Sequence, residues 1–98
     1  MSRFVLLDGV TADTDGSGFE VSNRQLCVWM LGSDFDSGTV SIQFSPDSGN
    51  TWVTPANATF TEQSMEVFDH DASCQIRATL TGSGSPSAVT VYVDEGSA

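Results

Sequence analysis

The fourteen residues from Thr39 to Trp52, TVSIQFSPDSGNTW, decide how the rest of the chain is read. The first six alternate strictly. Val40, Ile42 and Phe44 fall on one side of an extended chain and Thr39, Ser41 and Gln43 on the other, because successive strand side chains point to opposite faces. Such a strand has one dry and one wet side, as in an antiparallel sheet packed on a core. The next residues stop it. Pro46 has no N–H to donate, Ser45 and Asp47 carry short side chains that replace backbone partners in tight turns, and Gly49 tolerates positive φ. Trp52 then opens a return strand over 51–54, whose register it is expected to anchor by packing inward. The stretch predicts a hairpin.

Outward from that hairpin the same grammar repeats. Runs rich in Val, Ile, Phe and Thr are separated by Gly, Ser, Asp and Pro, and no window keeps a helical period over three turns. Strands are expected over 3–8, 18–22, 25–31, 39–45, 51–54, 64–68, 74–80 and 88–93. The fold expected is all-β: a single antiparallel β-sandwich, jelly-roll-like, of about eight short strands. Residues 1–98 form one domain, with 1–14 as N-terminal segment and first strand and 94–98 as a short tail. Alternation in Cys74–Leu80 and Ala88–Val93 sends Cys74, Ile76, Ala78, Leu80, Val89, Val91 and Val93 into the core. Segments 12–18, 32–38 and 81–87 are dense in turn formers and read as surface loops.

The run Leu26-Cys27-Val28-Trp29-Met30-Leu31 breaks the pattern, being apolar on both faces. One face enters the core; the other needs cover, either from a loop or the N-terminal segment, or from another subunit. A subunit there implies a closed ring such as a trimer. Cys27, Trp29 and Leu31 are then interface residues. Arg3, Phe4 and Leu6 join them if the first segment docks or swaps, and belong to an ordinary first strand if it does not.

Charge narrows the function. Thirteen acidic residues face three arginines and no lysine, for a formal net charge of −10. A nucleic-acid surface needs clustered cations, and Arg3, Arg24 and Arg77 are scattered along the sequence. An anionic membrane surface is excluded in the same way. No apolar run approaches the roughly 20 residues that cross a bilayer, and the start of the chain does not read as a signal peptide. Without a sign of export, Cys27 and Cys74 are expected as reduced thiols packed like small hydrophobes.

Chemistry-bearing motifs are weak. Asp69-His70-Asp71 holds the only histidine, but no serine stands in a nucleophile elbow, and the run reads as a solvated turn. Asp13-x-Asp15-Gly16 begins like a calcium loop, yet Ser22 stands where the bidentate Glu belongs. No catalytic residue, cofactor or metal is expected.

Two resemblances carry the functional reading. The spacing Ser45-x-Asp47-x-Gly49-x-Thr51-Trp52 resembles the Asp-box of sialidase-like propellers. It implies a hairpin in which Ser and Asp bond to turn backbone, Gly takes an unusual dihedral and Trp packs inward. No second box exists to build a propeller, so the motif is read as a fold signal. The order Gly38–Phe44, Ser45–Trp52, Gln75–Ala78 and Ala88–Val93, over about residues 15–93, resembles the small β-sandwich virion proteins of tailed bacteriophages. That resemblance implies a non-enzymatic protein, made in the host cytoplasm and placed on the capsid surface. There it binds the major capsid protein as a decoration or cement protein, commonly as a homotrimer. A tail, neck or fibre-base component is the second expectation. A host-attachment or carbohydrate-binding module using Trp29, Trp52 and Tyr92 is the third.

Overall fold

A computed structural model describes residues 2–21, 25–69 and 74–95, within which nine strands and no helix form. Arg24, His70 and Asp71 lie outside the described residues. The strands are β1 (Ser2–Val10), β2 (Thr14–Asp15), β3 (Phe19–Val21), β4 (Gln25–Leu31), β5 (Thr39–Ser45), β6 (Thr59–Phe60), β7 (Ser64–Asp69), β8 (Cys74–Thr81) and β9 (Val89–Glu95). All pairings are antiparallel. One sheet runs β1-β9-β4-β7; the other runs β2-β8-β5-β6, with β3 also pairing β8. The two pack together as a sandwich.

The alternating runs supply the core. Val40, Ile42, Ile76, Ala78, Leu80, Val89, Val91 and Val93 are fully buried, and Leu26, Val28 and Met30 meet them from β4. Aromatic pairs close both flanks. Phe4 on β1 stacks on Phe19 on β3, and Phe44 on β5 meets Phe68 on β7 edge-on, each with ring centroids 5.4 Å apart. Each pair joins one sheet to the other and adds a favourable ring geometry to the buried area.

Four expectations are corrected. The 51–54 strand does not form: only Val53 pairs with Phe44, through two 2.9 Å backbone bonds. Pro55 cannot donate to a ladder and Asn57 turns with φ 65, so the chain bulges away; β6 then pairs Thr59 with Ser41 and Phe60 with Val40. The 12–18 loop contains β2, because Thr14 and Asp15 find Leu80 and Thr79 across β8. Loop 32–38 is not wholly superficial, since Phe35 is buried and plugs the end of the core. Cys74 is only partly buried, and Cys27 lies on the outer face of its sheet; both are free thiols. Burial pushes both thiols above their ordinary pKa, aided at Cys27 by the Asp94 carboxylate, so neither is an activated nucleophile.

The acidic loops have a structural use. The Asp13 carboxylate accepts the amides of Gly82 (3.0 Å) and Ser83 (2.9 Å), and the Asp36 carboxylate accepts the amide of Ser85. The Asp34 carbonyl accepts the Ser87 amide at 2.9 Å. The 81–87 loop is held by acids that its own sequence lacks. No group of three His, Cys, Asp or Glu side chains capable of holding a metal occurs among the described residues.

Candidate functional site: a hairpin and an apolar outer face

The hairpin has the geometry its residues require. Ser45 is buried, and its hydroxyl donates to Asp47 Oδ1 (2.9 Å) while accepting the Gly49 amide (2.8 Å). The Thr51 amide donates to Asp47 Oδ1 at 2.7 Å, Ser48 sits at φ 63 and Gly49 at φ 92. Two polar side chains thus satisfy the amides of a turn too tight to satisfy itself. Trp52 behaves otherwise than expected. It lies half-buried on the outer face of the second sheet, with the Arg77 guanidinium 4.5 Å from its ring centroid and Gln43 bonded to Arg77 at 2.8 Å. The return segment is set by the Ser45 and Asp47 bonds and the Val53 bridge, not by an aromatic in the core.

Replacing Ser45 by Ala strands the partly buried Gly49 amide. The expected loss is about 1–3 kcal/mol, read from urea unfolding, the usual cost of an unsatisfied buried donor. A variant within experimental error of wild type shows the turn to be held elsewhere.

The second feature is the outer face of the β1-β9-β4-β7 sheet. Register places Val5 opposite Tyr92, Tyr92 opposite Trp29 and Trp29 opposite Met65 in one row across four strands. The next row runs Arg3, Asp94, Cys27, Val67. Val5, Met65 and Val67 are 44%, 46% and 44% exposed, so three of the four large exposed hydrophobics among the described residues share this face. Leu31 extends it beside Thr90. Arg3 closes one corner, with Nε and Nη2 donating to the Asp94 carboxylate at 2.6 and 2.8 Å and the guanidinium 4.2 Å over Tyr92. The Trp29 indole N–H is buried without a hydrogen-bond partner, and Trp29 helps to lower the pKa of Asp94.

Of the expected interface residues, Cys27, Trp29, Leu31 and Arg3 come together here. Phe4 and Leu6 do not: both turn into the sandwich, where Phe4 packs on the core and Leu6 is buried together with Leu7 across a register shift. The face gains Val5, Met65, Val67 and Tyr92, which the sequence does not group with β4. The available signal is the alternation of Met65 and Val67 in β7, legible as a strand but not as β4's neighbour.

Three carboxylates are held below the ordinary range. The Thr51 hydroxyl and amide, then Ser45, lower Asp47; the Ser83 hydroxyl and amide, then Gly82, lower Asp13; Arg3 lowers Asp94. A depressed folded-state pKa gives stability that is present above the unfolded pKa and lost as pH falls through the folded one. The urea midpoint is therefore expected to hold from pH 7 to about 5 and to fall below about pH 4, where free carboxylates titrate. The Asp47→Asn variant should lose less on acidification than wild type; an equal or larger loss contradicts the assignment.

No protein-family model, no curated protein and no solved structure matches this chain. Its function is therefore argued from the fold and from the outer faces of its two sheets.

Proposed function

We propose that this chain is a non-enzymatic structural protein of a tailed-phage virion, a capsid decoration protein that binds the outer surface of the shell and stabilises it. The observation that carries the reading is the apolar row Val5, Tyr92, Trp29, Met65 with Val67 beside it. A face of that kind on a chain of net charge −10 is made to be covered: isolated large hydrophobics are ordinary on a surface, but a contiguous group marks an interaction site. The opposite sheet offers the outer face of Gln43 and Arg77, whose guanidinium covers the Trp52 ring, and is the one suited to solvent.

Strand order supports a jelly-roll within the sandwich class. If β2 and β3 are taken as one strand interrupted at Gly16–Gly18, eight strands lie in the orders first, eighth, third, sixth and second, seventh, fourth, fifth. That is two nested Greek keys, an architecture shared by viral capsid and lectin domains. The unit that docks is a closed homo-oligomer, most simply a trimer, and the partner is the major capsid protein. Weak contacts repeated across a symmetric shell sum to a large total.

Quantitative mass spectrometry of purified virions tests this. The expected copy number is on the order of hundreds per particle, as a shell-wide lattice of equivalent sites implies. A few to a few dozen copies would place the chain in a tail, neck or fibre base. Its absence from particles, together with glycan binding, would favour the carbohydrate-binding reading.

A further inference from the structure

The two sheets have four edges, and three of them are blunted. β1 carries register shifts between Val5 and Leu7 and between Leu7 and Val10, with Gly9 at φ 59. On the second sheet one edge is split into β2 and β3, of two and three residues, and the other is β6, of two. Short, bulged or broken edges are how β-proteins avoid pairing with stray strands. The fourth edge, β7, is neither short, bulged nor broken, and its one protective feature is the charge of Glu66, on the core-facing side of the strand with Ser64 and Phe68. It is six residues long, keeps unbroken register with β4 from Gln25–Asp69 to Met30–Ser64, and its sequence Ser-Met-Glu-Val-Phe-Asp contains no Pro, Gly, Lys or Arg. Met65 and Val67 carry the apolar outer face up to that edge.

We infer that β7 is a docking edge that accepts an extended strand from a partner polypeptide, one with alternating apolar residues flanked by Lys or Arg. The strand adds to the sheet by main-chain hydrogen bonds, and its apolar side chains continue the two rows that end in Met65 and Val67. Charge selects the occupant. Glu62 precedes the edge, Glu66 lies within it and Asp69 ends it, while both described arginines are engaged elsewhere, Arg3 with Asp94 and Arg77 with Gln43 and Trp52. A second copy paired through β7 would set its own Glu62, Glu66 and Asp69 against the same acids, so contacts between copies are left to other parts of the surface. A basic strand meets complementary charge. The inference rests on the capsid-docking proposal for the partner being a protein surface. It is tested on the isolated chain, so its failure leaves the copy-number result standing.

The probe is a seven-residue peptide of alternating valine and threonine between terminal lysines, followed by backbone hydrogen exchange of the chain. The result expected is added protection confined to β7 amides, with affinity that falls as salt is raised. Exchanging the terminal lysines for glutamates should weaken binding at low salt by about tenfold, as attraction to the exposed Glu62 and Asp69 turns to repulsion. Alternate N-methylation of the peptide should abolish binding, and Glu66→Gln should weaken it while leaving Tm unchanged. Protection at β1 or no protection at all overturns the inference, as does equal binding of the acidic or N-methylated peptide. Concentration-dependent protection of β7 in the chain alone overturns it in favour of a second copy.

Discussion

Gly16→Ala is expected to lose at least about 3 kcal/mol, a large part of the stability of a domain this size, because the added methyl overpacks against atoms that cannot yield. A Cβ at Gly16 would collide with the Leu6 carbonyl oxygen of one sheet and lie 2.7 Å from the Ala78 carbonyl oxygen of the other. Both obstacles are backbone, and the Gly16 amide itself donates to Ala78 O at 2.8 Å. Relief requires β2 to leave β8 or β1 to leave the core. Gly49 gives the control: its φ of 92 makes alanine strained, but the new methyl meets side chains and no backbone, the flexible Gln75 amide at 3.3 Å and the Trp52 ring at an ordinary contact of 3.6 Å. Its cost should be about 1–2 kcal/mol, that of a left-handed non-glycine residue. Thermal or urea unfolding of the two variants separates crowding from dihedral strain. A Gly16 variant no worse than the Gly49 variant contradicts the close approach of the two sheets.

The second large effect distinguishes core from cover. Ile76 is fully buried in β8, opposite Phe19 on β3 and Phe44 on β5, so Ile76→Ala removes volume from the centre of the second sheet. The expected loss is about 3–4 kcal/mol, from lost transfer energy and the cavity left behind. It should lower Tm by about 15 °C or more in a domain of this length. Trp52→Ala, which the sequence alone would rank as costly as a core truncation at roughly 3–5 kcal/mol, should cost only about 1–2 kcal/mol. Trp52 is partly buried against the outer face, outside the core cluster, and stacks on Arg77. Calorimetry of the two variants decides the order. If Trp52→Ala proves the more damaging, the tryptophan anchors the hairpin after all.

The contrast between Ile76 and Trp52 shows what is legible in the sequence. Period-two alternation is local, so it places β5 at 39–45 and assigns the inward residues of β8 and β9 nearly completely. The Ser45 and Asp47 roles are legible for the same reason, since a turn bonds within itself. Trp52 is not, because its setting depends on Pro55 and Asn57 further on, which prevent the return strand, and on Arg77 from another strand. The outer face is half legible. A run apolar on both sides announces β4, but Met65, Tyr92 and Val5 join it only through a strand order set by long-range pairing. The N-terminal residues are turned the other way by an irregularity: across the β1 register shift Leu6 and Leu7 both point inward, which no alternation rule anticipates.

Hydroxyl-radical footprinting of the chain on intact virions and free in solution tests capsid docking most directly, since methionine, tryptophan and tyrosine report on both sheets. Met65, Trp29 and Tyr92 are expected to lose reactivity on the particle while Trp52 keeps it. Protection of Trp52 with Met65 unchanged would contradict docking through the apolar row, placing the contact on the opposite face of the sandwich.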